Sequence, residues 1–428
     1  MGYKKRIIDE ELREVSRSNV MISISGVKGC GKTETAKQIC KSGITIDRTD
    51  GMKKLLSLNP DILSEGGKPR LIDEWQLEPW IWNKIRHAVD NKEGCFFLTG
   101  SATPVKDAYM HSGAGRTIRY HMRPMSWYEL EYSTGEITLD DILKNTIKTT
   151  KLNEIPFKEK LERLVFGGWP FLLESGSYKE KIMRLQEYVK TIYADDLQRV
   201  DETNKNWKIG RSLLMSLARN VSTYATVTTL LNDIKIHDSE ISKHTFDTYY
   251  LALQKIHIIE ELEAWPTHLR SSASLRSSAK RYFVDPSLAL ALLKATPEKL
   301  MSDMNFTGFI FENEVVKNLR IYADRIGADL YYYGDMYSTT ENGKKIAKSR
   351  EVDVIMVLSD GNWCAFEIKM GFDERWINEA VSSLNNLMKN IDFTKVRKPL
   401  SLNIITCDGF AYKRKEDGIN VIPLNVLR

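Results

Sequence analysis

Apolar and polar positions along the chain change period twice. In residues 1–135, short runs rich in β-branched residues alternate with helical stretches. Val20–Ser25, Ile44–Ile46, Arg70–Ile72 and Cys95–Thr99 predict strands, while Thr33–Cys40 and Trp80–Val89 predict helices between them. That alternation predicts a parallel sheet flanked by helices. From Leu152 to Leu293 apolar residues recur at three and four positions. This predicts helices at Lys181–Val200, Trp207–Ala218, Ala225–Ile234 and Ile241–Ile256. Ile258–Trp265 alternates as a strand does, and Arg281–Val284 is its expected partner. Helix, turn, helix and ribbon is the winged-helix order, with Ser271–Lys280 as a basic ribbon tip. After Pro297 the chain predicts a helix at Phe309–Leu319, with Phe311, Val315 and Leu319 on one face. Strands are predicted at Tyr331–Tyr333, Val352–Val357, Cys364–Ile368 and Leu400–Thr406, and an amphipathic helix at Trp376–Ile391. Ser338–Ser349 reads as a loop insertion.

At 428 residues, two or three domains are expected. Hydrophobic residues at 42% and charged residues at 28% are ordinary globular values. No apolar run approaches the ~18 residues that span a bilayer. The charged first residues lack the apolar stretch of a signal peptide, so a cytoplasmic protein is expected. Cys30, Cys40, Cys95, Cys364 and Cys407 are scattered and form no CxxC pair, which argues against a disulfide framework or a zinc site. A net charge of +5 permits nucleic-acid binding without arguing for it. Basic residues concentrate at Arg270, Arg276, Lys280 and Arg281, and again at Lys395, Arg397 and Lys398. Runs of this size are more often solvated faces. His111 and His121 lack metal-ligand spacing.

The strongest local signal is Gly26-Val27-Lys28-Gly29-Cys30-Gly31-Lys32-Thr33, between a predicted strand and a predicted helix. Glycines there let backbone N–H groups converge on phosphate oxygens, and the helix adds its positive N-terminal end. Lys32 is placed to reach the β and γ phosphates of ATP, and Thr33 to ligate Mg²⁺. Further on, the predicted strand Arg70–Ile72 ends in Asp73 and Glu74. In P-loop ATPases the first such acid holds Mg²⁺ and the second polarises the attacking water. Ser101, after the next strand, is a candidate for contact with the γ-phosphate. Arg116 or Arg119 is a candidate cation on the transition-state charge, acting within the chain or on a second copy.

Asp73–Asp90, Leu98–Ala102, Gly113–Arg116, Arg123–Leu130 and Gly167–Pro170 resemble segments of a family of prokaryotic AAA-type ATPases. Those proteins continue into a C-terminal domain of unknown function with a restriction-endonuclease-like fold. The resemblance runs over nearly the whole chain. It implies that Lys32, Thr33, Asp73 and Glu74, with Ser101 and Arg116, form the nucleotide site.

A second set of acids follows: Glu312 on a predicted helix, Asp353 in Glu351-Val352-Asp353, and Glu367 with Lys369 on a later strand. Two apart in a strand, Glu367 and Lys369 share a face, and a hairpin would bring Asp353 beside Glu367. Asp, Glu and Lys so clustered match PD-(D/E)XK nucleases, in which the acids hold Mg²⁺ or Mn²⁺ and the lysine positions water. The competing reading is a degenerate nuclease fold that binds DNA or a protein without cutting.

The expected fold class is α/β, with a P-loop ATPase domain at residues 1–135, a helical linker or lid at 136–205, a winged-helix domain at 206–298 and a nuclease-like domain at 299–428. Three functions stay open: an ATPase acting on or near DNA, an ATP-gated nuclease, and a nucleotide-switched binding protein with slow turnover. A homo-oligomer or a protein partner is compatible with each, and no membrane is expected.

Overall fold

The computed structural model describes residues 2–101, 114–152, 155–174, 176–200, 205–235, 241–267, 278–341 and 344–428, without the side chains of residues 199, 335–341 and 344–349. The chain divides into two compact units. Met1–Met125, Trp169–Arg211 and Ser242–Ile258 make the first, and Ser126–Gly168, Ser212–Ile241 and Ile259–Arg428 the second. No helix among the described residues is long and apolar enough to cross a membrane.

The first unit is built on a parallel sheet of β1 (Met21–Gly26), β2 (Ser42–Thr45), β3 (Arg70–Asp73), β4 (Phe96–Thr99) and β5 (Thr117–Met122), in the order β2-β3-β4-β1-β5. Every residue of β3 and β4 is buried, as expected of parallel strands covered on both faces. β2, at the edge, alternates between exposed and half-buried positions. Met21, Ile72, Phe96 and Leu98 pack with Trp75, Trp82 and Ile85 into one core, which includes the inner face of the helix Ile81–Asp90. The expected strands are present, and β5 is an addition. Its sequence, Thr-Ile-Arg-Tyr-His-Met, carries charge and stays largely exposed at the sheet edge, so it lacks the apolar run that marked the others. Helices at Asp9–Val15 and Asp50–Leu58 were likewise unread. The helix expected at Lys181–Val200 is divided into Tyr178–Thr191, a π turn at Ile192–Asp196, and Leu197–Arg199.

In the second unit, β8 (Asp329–Glu341), β9 (Lys344–Val357), β10 (Trp363–Lys369), β11 (Leu402–Thr406), β12 (Tyr412–Lys413) and β13 (Asn420–Pro423) form a mixed sheet ordered β12-β13-β11-β10-β9-β8. Within the stretch expected as a loop, Ser338–Glu341 and Lys344–Ser349 lie in the paired arms of the β8–β9 hairpin. The helix Glu374–Asn390 lays Ile377, Ala380, Leu384 and Leu387 on this sheet. A separate antiparallel ribbon joins β6 (Ile259–Leu262) to β7 (Lys280–Phe283). Helices at Trp207–Arg219, Val227–Lys235 and Lys243–Lys255 precede the ribbon along the chain. Arg270, Arg276 and the rest of residues 268–277 lie outside the described residues.

The long helix Met304–Asp324 is buried along most of its length and brings charge inside with it. The Lys317 ammonium lies 2.9 Å from both Asp285 and Glu314, and all three side chains are at most 1% exposed. Asp285 also accepts the Gly168 N–H at 2.9 Å and the Ser287 N–H at 3.0 Å. Gly167 has φ +63, and a Cβ there would meet the Asp285 Oδ1 at 2.1 Å. Only glycine fits that approach, which gives the Gly167-Gly168 pair a packing reason. Breaking a buried pair by removing one partner costs about 3–5 kcal/mol. Asp285→Ala is expected to lose at least ~3 kcal/mol in chemical denaturation; a loss below ~1 kcal/mol would show that the cluster does not hold this unit together.

Candidate functional site

At the carboxyl end of β1 the chain turns through Gly26–Gly31 into the helix Lys32–Lys37. Gly29 (φ 78) and Gly31 (φ 104) take left-handed conformations that L side chains rarely adopt. Gly26 is needed for a different reason: a Cβ there would meet the Met122 carbonyl oxygen of β5 at 2.1 Å. Lys32 is buried, and its ammonium donates to the carbonyls of Gly26 at 2.8 Å and Val27 at 2.9 Å. The loop's own carbonyl oxygens therefore hold the Lys32 charge.

Registers of the sheet bring the other groups to the same end. Asp73 stands opposite Thr99 of β4, and Thr99 stands opposite Ile24 of β1. The Asp73 Oδ1 accepts the Thr33 hydroxyl at 3.0 Å and the Thr99 hydroxyl at 2.5 Å. Glu74 follows with φ 56, and its carboxylate accepts the Gln76 amide at 2.5 Å. A Cβ on Gly100 would meet the Gln76 Oε1 at 2.3 Å, so Gly100 makes room for that amide. Ser101 is half-buried beside it. Ala102, His111 and Gly113 lie outside the described residues.

Groups that the local pattern did not mark support the loop from outside. Arg6 donates from its guanidinium to the Cys30 carbonyl at 2.8 Å and to the Arg123 carbonyl at 2.8 Å. Tyr188 donates to the Lys28 carbonyl at 2.7 Å, while the Lys28 ammonium lies 3.5 Å from Asp196. Cys30 is buried, with its Sγ on the Met122 carbonyl at 3.4 Å. Val27 is buried as well. His121 lies against His257, with ring centroids 4.7 Å apart.

The register places Arg116 away from the loop of its own chain. Its carbonyl accepts the Met21 N–H at 2.9 Å, at the start of β1, and its guanidinium is paired with Asp90. Five residue steps separate Met21 from Gly26, roughly 16–17 Å at ~3.3 Å per residue. Within its own chain, Arg116 therefore stands at the opposite end of the sheet from the loop. Arg119 lies opposite Ser23, with its guanidinium 5.4 Å from the Trp82 ring centroid.

In the second unit the four C-terminal candidates meet at one cavity of about 790 Å³. β9 and β10 pair antiparallel, and Asp353 accepts the Ile368 N–H at 2.8 Å. Lys369 is 3.7 Å from Glu367 and 3.3 Å from Glu379. Glu312 enters from the helix Met304–Asp324 and accepts the Tyr282 hydroxyl at 2.7 Å. Lys280 of β7 was missed. Its ammonium lies 2.9 Å from Glu312 and 3.4 Å from Asp353, is paired with Glu351, and sits 5.2 Å from the Tyr224 ring centroid. Lys280 is thus no part of an exposed basic tip. Arg281 is buried too, donating to the Ala225 carbonyl, so neither residue is on a solvated face. Lys395 is exposed and paired with Asp392 at 2.9 Å.

Burial sets the protonation of this cluster. Desolvation pushes the Glu312 carboxyl up to about 7, with Asp353 and Glu351 adding to the rise against the opposing pull of Lys280. Glu367 is raised well above the usual range by burial and by Asp353. Burial alone would lower Lys280, but Glu312, Tyr282, Asp353 and Glu351 together outweigh it and hold the ammonium charged well above its usual range.

Residues 18–131 match the family described as AAA domain. Residues 158–299 match a domain of unknown function, DUF8612, and residues 307–427 match another, DUF4143. No curated protein matches the chain. Among solved structures, a Walker-type ATPase of Pyrococcus abyssi is 14% identical, with 68% of this chain and 96% of that one covered at a TM-score of 0.42. A signal transduction ATPase with numerous domains from Pyrococcus horikoshii, carrying a tetratricopeptide repeat sensor, is 15% identical over 75% of this chain and 48% of that one, at a TM-score of 0.24. A DNA polymerase III gamma subunit-related protein of Thermotoga maritima is 11% identical over 58% of this chain and 99% of that one, also at 0.24. The family match, on the segment that holds the glycine loop, makes this an AAA-type P-loop ATPase domain.

Glu312 gives the second unit a pH signature. An unfolded glutamate titrates near ~4.3, whereas the folded Glu312 titrates at about 7. Between those values the folded state holds a proton that the unfolded chain has released, so stability falls as pH rises, by up to ~1.4 kcal/mol per pH unit. Glu312→Gln is expected to gain stability relative to the wild type as pH rises from about 4.5 to about 7. Thermal melts across that range check it, and a constant offset between the two proteins would contradict it.

Proposed function

We propose that the chain is a Mg²⁺-dependent ATP hydrolase in which Lys32, Thr33, Asp73 and Glu74 act on the phosphates. The observation that carries this reading is the shared carboxylate of Asp73, which gathers the Thr33 and Thr99 hydroxyls beside the glycine loop. Two hard oxygen donors 3.0 Å apart, on Thr33 and Asp73, suit Mg²⁺, which takes few protein ligands and completes its shell with water and phosphate oxygens. Bound there, the ion neutralises charge on the phosphate oxygens. The backbone amides of Gly29 to Lys32 cradle the phosphates, and the Lys32 ammonium exchanges the Gly26 and Val27 carbonyls for phosphate oxygens. Glu74 orients the attacking water and accepts its proton.

The Glu74 carboxylate accepts a hydrogen bond from the Gln76 amide. A base so engaged must exchange that contact for water before it acts, which favours the second reading, a nucleotide-dependent switch with slow basal turnover. A cation on the transition-state charge would come from another copy, since Arg116 lies at the far end of its own sheet. Nothing in this reading requires DNA.

Lys32→Ala is expected to weaken ATP binding by more than about tenfold, the loss of charge-assisted contacts. Glu74→Gln is expected to keep binding and to lower turnover by about 10²-fold or more. Gln76→Ala separates the two readings: faster basal turnover supports the restrained switch, and unchanged or slower turnover counts against it. Wild-type turnover no faster than that of Glu74→Gln would defeat the hydrolase reading.

A further inference from the structure

The cluster at Glu312, Glu351 and Asp353 already contains a cation. Lys280 is 2% exposed in its side chain, and its ammonium lies 2.9 Å from Glu312 and 3.4 Å from Asp353, with Glu351 also in contact. The remaining bonding capacity of these acids is partly taken as well: the Tyr282 hydroxyl donates to the same Glu312 oxygen at 2.7 Å, and the Ile368 N–H donates to the second Asp353 oxygen at 2.8 Å. A divalent ion entering this space would sit a few ångströms from an ammonium, in surroundings of low dielectric where that repulsion is large. Among the described residues, no group of three or more His, Cys, Asp or Glu side chains is arranged to hold a metal ion.

Lys280 is also fixed from behind. Its strand β7 pairs with β6, Lys280 standing opposite Leu262. Three residues on, the side-chain amide of Asn313 takes the Phe283 N–H at 3.0 Å and gives a hydrogen bond to the Phe283 carbonyl at 2.8 Å. Asn313 adjoins Glu312 on the long helix, so the contact that seats β7 also sets the ammonium against the carboxylate. Tyr224 covers the ammonium from a further side. Swinging Lys280 away would leave buried Glu312 and half-buried Asp353 and Glu351 without this counter-charge, which is costly.

We propose that Lys280 is a built-in counter-ion standing where a metal would stand among Glu312, Glu351 and Asp353, and that it locks the β6–β7 ribbon to the C-terminal sheet. The residues present do not fit the divalent metal that a nuclease reading of Glu312, Asp353, Glu367 and Lys369 requires. The fourth acid, Glu367, is matched by Lys369 at 3.7 Å, so a second internal cation serves the same cluster. A cation from the matched segment 158–299 thus meets acids from the matched segment 307–427. This reading is independent of ATP hydrolysis and survives if that fails.

Mn²⁺ binding to the full-length, nucleotide-free protein, followed by electron paramagnetic resonance, tests it. Wild type and Asp353→Asn are expected to bind Mn²⁺ equally weakly, whereas Lys280→Met, which keeps the aliphatic stem and removes the charge, gains a site. That site is expected to vanish in the Lys280→Met, Asp353→Asn double variant. In EDTA, Lys280→Met should melt roughly 6–12 °C lower than wild type, and Mn²⁺ should restore part of the loss. Wild-type Mn²⁺ binding that Asp353→Asn removes would overturn the proposal, as would a folded Lys280→Met that binds no Mn²⁺. If Lys280→Met does not fold, the wild-type and Asp353→Asn comparison still decides.

Discussion

A buried ammonium has to be surrounded by oxygen, because leaving it unpaired in a low-dielectric interior costs more than most folds can bear. Two lysines of this chain meet that constraint in different ways. Lys32 is satisfied by two backbone carbonyls of its own loop. Carbonyl dipoles are weak partners compared with the phosphate oxygens of a nucleotide, so on the proposed reading ATP displaces this arrangement. Lys280 is satisfied by carboxylates carried on separate elements of the fold, and no ligand needs to take their place. One lysine is held for exchange and the other is held for good.

Around the exchangeable lysine, sheet registers do the positioning. Parallel strands place their carboxyl ends at one edge, where Thr99, Asp73 and the glycine loop meet. The same registers send Arg116 to the other edge. Arg6 and Tyr188 fasten the loop's backbone through the Cys30 and Lys28 carbonyls.

The nucleotide loop was legible because its chemistry is local. Gly29 and Gly31 take positive φ, Lys32 begins the helix, and Asp73 ends a short strand with Leu71 and Ile72 before it. The hairpin joining Asp353 to Glu367 was legible for the same reason: two short apolar runs separated by a turn. β5 was not, because an edge strand with an exposed face carries Arg119 and His121 in place of an apolar run. Arg6 and Lys280 were illegible for a different reason. Their partners lie 24 and 32 residues away or further, and nothing in the neighbourhood of a lysine says that it will be buried. Read locally, Lys280 and Arg281 made a basic tip. The fold turns both inward.

The most direct measurement is a crystal structure with a non-hydrolysable ATP analogue and Mg²⁺. This account predicts that the Lys32 ammonium leaves the Gly26 and Val27 carbonyls for the β and γ phosphates, with Thr33 and Asp73 flanking the ion. An analogue bound elsewhere while Lys32 keeps its two carbonyls would contradict it.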